Sequence, residues 1–132
     1  MIDVPGGTIR IKGSTVFQNN SAGSFGGAIF VSSNSSSFNI SENVTFSENQ
    51  APYGGAVSAS CNVLIAGIAR FVMNKADYMG GAIYLDPGQT LSLAESASFS
   101  LNKAGSGGGG VFLSEGCSFF YDRQSRIYCK YC

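Results

Sequence analysis

The chain has no histidine and no tryptophan, and charged residues fill only 12% of its 132 positions. An ordinary globular domain carries about a quarter charged residues. The absence of histidine excludes Ser-His pairs and an imidazole base. Eight basic residues balance eight acidic ones, and both kinds are scattered singly. No basic stripe is left to neutralise phosphates, so a nucleic-acid partner is excluded. Long apolar runs are scarce. Residues 54–73 hold Arg70 as their only charge, but they also contain Ser58, Ser60, Asn62 and three glycines; a spanning helix needs about 20 mostly apolar residues. The segment from Met1 to Gly7 has neither the basic nor the apolar region of a secretory signal. What is abundant is glycine, 18 residues against about 9 at the usual 7%, with 20 serines and nine asparagines beside it. An apolar fraction of 44% and zero net charge exclude a disordered chain. The length suits one domain.

An internal repeat organises this composition. Phe-x-x-Asn occurs four times, at Phe17/Asn20, Phe46/Asn49, Phe71/Asn74 and Phe99/Asn102. Each Asn is followed two residues on by Ala22, Ala51, Ala76 or Ala104. A glycine pair comes next: Gly26-Gly27, Gly54-Gly55, Gly80-Gly81, Gly108-Gly109. Eight and six positions before each Phe stand two apolar residues, Ile9/Ile11, Phe38/Ile40, Val63/Ile65 and Leu91/Leu93. Successive Phe positions are 29, 25 and 28 residues apart. The repeats run over about 9–37, 38–62, 63–90 and 91–118, with a partial copy over 119–132, in one domain of residues 1–132. Length varies most between the glycine pair and the next apolar pair, at 12, 9, 11 and 11 residues, so the Ser-rich stretch 32–37 reads as a solvated loop.

Within each repeat the local period is two. One parity after the glycine pair is aliphatic throughout (Ile29/Val31, Val57/Ala59, Ile83/Leu85, Val111/Leu113) and should face a core. The other (Ala28/Phe30, Ala56/Ser58, Ala82/Tyr84, Gly110/Phe112) should face outward. Three short strands per repeat describe one coil of a parallel β-helix. The expected fold is all-β, a right-handed, pectin-lyase-like solenoid of about 4–5 coils. The Phe residues fill its interior. The Asn residues sit at corners in unusual backbone conformations and bond to one another along the axis. The glycine pairs supply tight turns. Stacking alone explains these ladders.

Phe17-Gln-Asn-Asn20-Ser-Ala22-Gly-Ser-Phe-Gly26-Gly27-Ala28-Ile29 and Phe71-Val-Met-Asn74-Lys-Ala76-Asp-Tyr-Met-Gly80-Gly81-Ala82-Ile83 resemble the repeat of the chlamydial polymorphic membrane proteins. The resemblance covers nearly the whole chain; the second and fourth copies depart with Val57 for Ile and Gly110 for Ala. It implies an autotransporter-like arrangement, with a β-helical passenger on the cell surface acting in adhesion and as a variable antigen. Neither the signal peptide nor the membrane barrel of such proteins is in this sequence, which suggests a passenger fragment or a detached repeat module.

The chemistry for catalysis is thin. Asp3, Glu42, Glu48, Asp77, Asp86, Glu95, Glu115 and Asp122 never share a slot in neighbouring coils, whereas glycan-cleaving sites need clustered carboxylates. Lys75 and Lys103 follow equivalent Asn residues and read as solvated surface. Cys61 and Cys117 share one slot two coils apart, about 9.6 Å, too far for a disulfide. Cys129-Lys-Tyr-Cys132 lacks the second pair of a zinc site. Cys129, Cys132 and Cys117 are disulfide candidates, within or between chains, in an oxidising compartment, and the resemblance implies cysteine-linked envelope proteins. Asn19, Asn34, Asn39 and Asn43 open N-x-S/T triplets, a pattern that an Asn- and Ser-rich chain produces by chance. No cofactor and no metal is expected. The reading is a non-catalytic surface or secreted module that contacts a protein or glycan on a host or neighbouring cell, or another copy through open solenoid ends. Candidate contact residues are the outward aromatics Phe30, Tyr84 and Phe112, with Tyr53 and Tyr78 in the corner loops. The alternative is a β-helix that binds or cleaves carbohydrate.

Overall fold

The computed structural model describes residues 2–34, 36–93, 97–121 and 126–127. Strands are short because the apolar pattern runs for only a few residues before a Gly-, Ser- or Asn-rich turn interrupts it. They stack in parallel as a solenoid of about four turns, so the fold class follows the sequence. The first sheet contains Thr8–Ile11, Ser37–Ile40, Asn62–Ile65, Thr90–Leu93 and Ser118–Tyr121. The second contains Thr15–Gln18, Val44–Ser47, Ala69–Val72, Ala97–Ser100 and Arg126–Ile127. The fourth contains Ile2–Val4, Ile29–Val31, Val57–Ala59, Ile83–Leu85 and Val111–Leu113.

The coil has one more side than the three-strand reading gives it. Gln50–Tyr53, Lys75–Met79 and Lys103–Ala104 pair as a third sheet between the Asn corner and the glycine pair. Only one residue per strand, Ala51, Ala76 or Ala104, occupies the inward slot; Ala51 and Ala76 are buried and Ala104 half-buried. A strand marked by a single small inward residue carries almost no hydrophobic period, which is why the pattern does not announce it.

Register aligns like with like. Phe17 pairs with Phe46, Phe46 with Phe71, and Phe71 with Phe99. Ile9, Phe38, Val63 and Leu91 form a second row; Ile29, Val57, Ile83 and Val111 form a third. Phe46, Phe71 and Phe99 are fully buried, each contributing about 1.5–3 kcal/mol relative to an exposed ring.

Two details of the corners differ from expectation. The left-handed backbone belongs to the residue before each ladder Asn: Asn19, Glu48, Met73 and Leu101 have φ of 54–56°. That bend ends the Phe strand and turns the following Asn toward the interior. The outward parity of the fourth sheet is also not uniformly outside. Ala28, Ala56, Ala82 and Ser58 are buried.

Candidate functional site

The ladder positions form a closed hydrogen-bond system. The Asn20, Asn49 and Asn74 side-chain amides each donate to Oδ1 of the Asn one coil on, at 2.9 Å in every case. Their backbone N–H groups donate to the same oxygens at 2.9–3.1 Å. The Asn49, Asn74 and Asn102 amides also donate back to the carbonyls of Phe17, Phe46 and Phe71, at 2.8–3.0 Å. Beside this ladder the Phe17, Phe46, Phe71 and Phe99 rings stack with centroids 4.7–4.9 Å apart and planes within 8°. Gly26, Gly54, Gly80 and Gly108 have φ of 56–68°, the turn conformation that glycine adopts freely. Their partners Gly27, Gly55 and Gly81 are needed for a different reason. A Cβ on Gly27 or Gly55 would overlap the carbonyl oxygen of Gly55 or Gly81 respectively, and one on Gly81 that of Gly109. These residues build the scaffold and spend their polar groups on it.

A different set of side chains faces out. Phe30 and Tyr84 on the fourth sheet meet Phe25 and Tyr53 at the ends of the third-sheet segments. Phe25 lies 5.2 Å from Phe30, 5.3 Å from Tyr53 and 6.5 Å from Tyr84. Tyr53 lies 5.3 Å from Tyr78 and 5.4 Å from Tyr84. Tyr84 stacks on Phe112 at 5.7 Å. The result is a continuous aromatic seam along the outside of the coils. Phe25, Phe30, Tyr53, Tyr84 and Phe112 are half-buried, and Tyr78 is 51% exposed. Tyr53 and Tyr78 belong to strands, not loops. Ser58 is buried because it stands between Phe30 and Tyr84 in register, where corner rings converge. Phe25 can reach Tyr84, two coils away, because the intervening slot holds a serine.

Phe25 is the member that sequence reasoning missed. The signal was available: the residue before each glycine pair reads Phe25, Tyr53, Met79 and Gly107, and Phe25 pairs with Tyr53, and Tyr53 with Met79, in parallel bridges. At the fourth copy, where this slot is glycine, the Phe112 ring lies over Gly107.

Among the described residues the acids do not converge. Glu42 accepts the Gly13 N–H at 2.6 Å, Glu48 accepts from Gln18 at 3.5 Å, and Asp86 accepts the Ser60 hydroxyl. Among the described residues no group of three or more acids or cysteines could hold a metal. Glu95, Asp122, Cys129 and Cys132 lie outside the described residues. Cys61 is buried in the core and free, and burial raises its pKa from 9.0 to about 11. Cys117 is also free, and its thiol donates to the Asp86 carbonyl at 3.1 Å.

A family model, the Chlamydia polymorphic membrane protein repeat, matches residues 14–32 and 43–60. Both spans begin one residue before a second-sheet strand and end one residue after a fourth-sheet strand. Two of these coils are thus similar to the Chlamydia polymorphic membrane protein repeat. Each matched span is, in three dimensions, the Phe strand, the Asn corner, the third-sheet segment, the glycine turn and the aliphatic strand. Parallel register carries the same unit into the coils of Phe71 and Phe99. The polymorphic membrane proteins are a non-enzymatic, surface-associated family of the chlamydial outer membrane. No curated protein and no solved structure matches the chain.

Proposed function

We propose that this chain is a non-catalytic cell-surface module whose aromatic seam binds a protein on a host or neighbouring cell. The observation that carries the reading is the seam itself. Six rings from all four coils form one continuous outward surface, although stacking of the coils is already provided by the inner Phe and Asn ladders. Tyrosine-rich surfaces of half-buried, preordered rings contribute strongly to protein binding, because little side-chain entropy is lost on contact. The way the rings lie favours a protein over a glycan: their faces rest on one another, and sugar recognition wants a free face. The repeat's family supports a surface location. A passenger-like adhesin is the specific form of this proposal.

The test is adhesion of beads carrying the protein to cultured cells. Tyr53→Ala with Tyr78→Ala should reduce attachment at least tenfold while the protein stays folded, and protease treatment of the cells should abolish it. Unchanged attachment by the double variant would remove the seam from consideration. Turnover of any polysaccharide in a reducing-sugar assay would overturn the non-catalytic reading.

A further inference from the structure

The corner between the second and third sheets changes character along the axis. Its left-handed position holds Asn19 and Glu48 in the first two coils, and Met73 and Leu101 in the next two. Two residues on, the outward slot holds Ser21 and Gln50, then Lys75 and Lys103. Three choices in the later coils work against stability. Asn tolerates left-handed backbone far better than Met or Leu. Met73 is 48% exposed and Leu101 69% exposed, so neither is rewarded by burial. Lys75 and Lys103 stand directly opposite each other in parallel strands, where like charges repel. No described acid forms an ion pair with either. Arg70, exposed on the adjoining second-sheet strand, adds a third cation. The first two coils show that the fold accepts Asn and Gln in these slots.

We propose that this corner docks on an anionic lipid bilayer. Met73 and Leu101 enter the boundary between headgroups and acyl chains, and Lys75 and Lys103 hold phosphate and carboxylate headgroups beside them. A shallow depression of about 290 Å³ lined by Met73, Asn74, Lys75, Leu101 and Lys103 admits one such headgroup. Exposed apolar side chains flanked by lysines are the combination that binds anionic interfaces. The site is a tip at a corner, and a soft planar surface can meet a tip where a peptide would need a groove. This surface is separate from the aromatic seam, and either can stand without the other.

Co-sedimentation of the protein with vesicles at millimolar lipid tests the idea. Phosphatidylcholine vesicles containing phosphatidylserine should bind it, pure phosphatidylcholine should bind it much less, and added salt should weaken the difference. Lys75→Gln with Lys103→Gln should weaken binding about 30-fold, from the usual contribution of a lysine at an anionic surface. Met73→Asn with Leu101→Asn should weaken it at least tenfold while leaving the melting temperature equal or higher, because both replacements copy residues of this same fold. The Tyr53→Ala, Tyr78→Ala variant should bind vesicles like the parent. Equal binding to both vesicle types, or undiminished binding by the Met73→Asn, Leu101→Asn variant, would overturn the proposal. Capture by soluble polyglutamate without any vesicle binding would overturn it too.

Discussion

At the residue scale the ladder asparagines combine roles that most folds divide among several groups. Asn74 is fully buried; its Oδ1 accepts two bonds and its amide donates two. Truncation to Ala orphans two donors of Asn49 and the Phe46 carbonyl. At about 1–3 kcal/mol for each unsatisfied buried group, Asn74→Ala should lower unfolding free energy in urea by at least about 3 kcal/mol. Gly55 and Gly88 allow a paired comparison. A Cβ at Gly55 meets backbone on two sides, whereas at Gly88 (φ 79°) it meets nothing. Gly88→Ala should cost about 1 kcal/mol for backbone conformation, and Gly55→Ala several times that, read from the same denaturation curves. Cys61 gives a pH dependence. Its thiol is held neutral by burial, with the pKa raised to about 11 from 9.0. The unfolded chain therefore releases this proton first. The corresponding stability is complete below pH 9 and is lost as pH rises toward about 11. Thermal melts across that range should show a steeper decline for the parent than for Cys61→Ala.

At the element scale, legibility in the sequence followed hydrophobic contrast. The first, second and fourth sheets turn two residues inward per strand, at least one of them a large apolar side chain, and alternation exposes them at once. The third sheet turns one alanine inward per strand, so the sequence pattern carries no period there and Tyr53 and Tyr78 read as loop residues. The left-handed corner was placed one residue late for a similar reason. Asn is the residue expected there, and an Asn does follow; nothing about Glu48, Met73 or Leu101 marks a positive φ, since their conformation is imposed by the inward turn of the next side chain. Phe25 escaped notice because its slot degrades to Met79 and Gly107. Ser58 looked like an outward polar residue because the rings that cover it come from another element. Its small size has a consequence: Ser58→Phe would insert a ring where Phe25, Tyr53 and Tyr84 already converge. Despite restoring an apparently regular aromatic row, it should destabilise by about 1–3 kcal/mol through overpacking, measurable as a lower melting temperature.

At the scale of the whole molecule, each coil stacks on its neighbours, with the Phe25–Tyr84 ring contact the longer reach already described, so stability is close to a sum of coil and interface contributions. Hydrogen exchange should be graded along the axis. Amides in Val44–Ser47 and Ala69–Val72, with a strand on either side, should be the most protected. Those of Ile2–Val4, paired on one side only, should exchange first. Uniform protection across all coils would contradict this. The same one-dimensional construction lets outward slots vary freely from coil to coil. The basic, apolar corner and the aromatic seam occupy the two ends of the third-sheet strands of similar coils for that reason.

The asparagine ladder also has a direction. Each Oδ1 accepts from the lower-numbered coil, while the backbone N–H and one amide N–H of each Asn donate to the Oδ1 of the higher-numbered one; the second amide N–H reaches back to a Phe carbonyl. A coil turned upside down would bring oxygen against oxygen or hydrogen against hydrogen at buried positions. The ladder is therefore an orientation lock. It accepts a neighbouring coil in one sense only and leaves a reversed or antiparallel one with buried polar groups that cannot be paired. Proteins built by repeating one motif are exposed to pairing errors between near-identical units; here the safeguard against one class of error is a single side chain recurring once per turn.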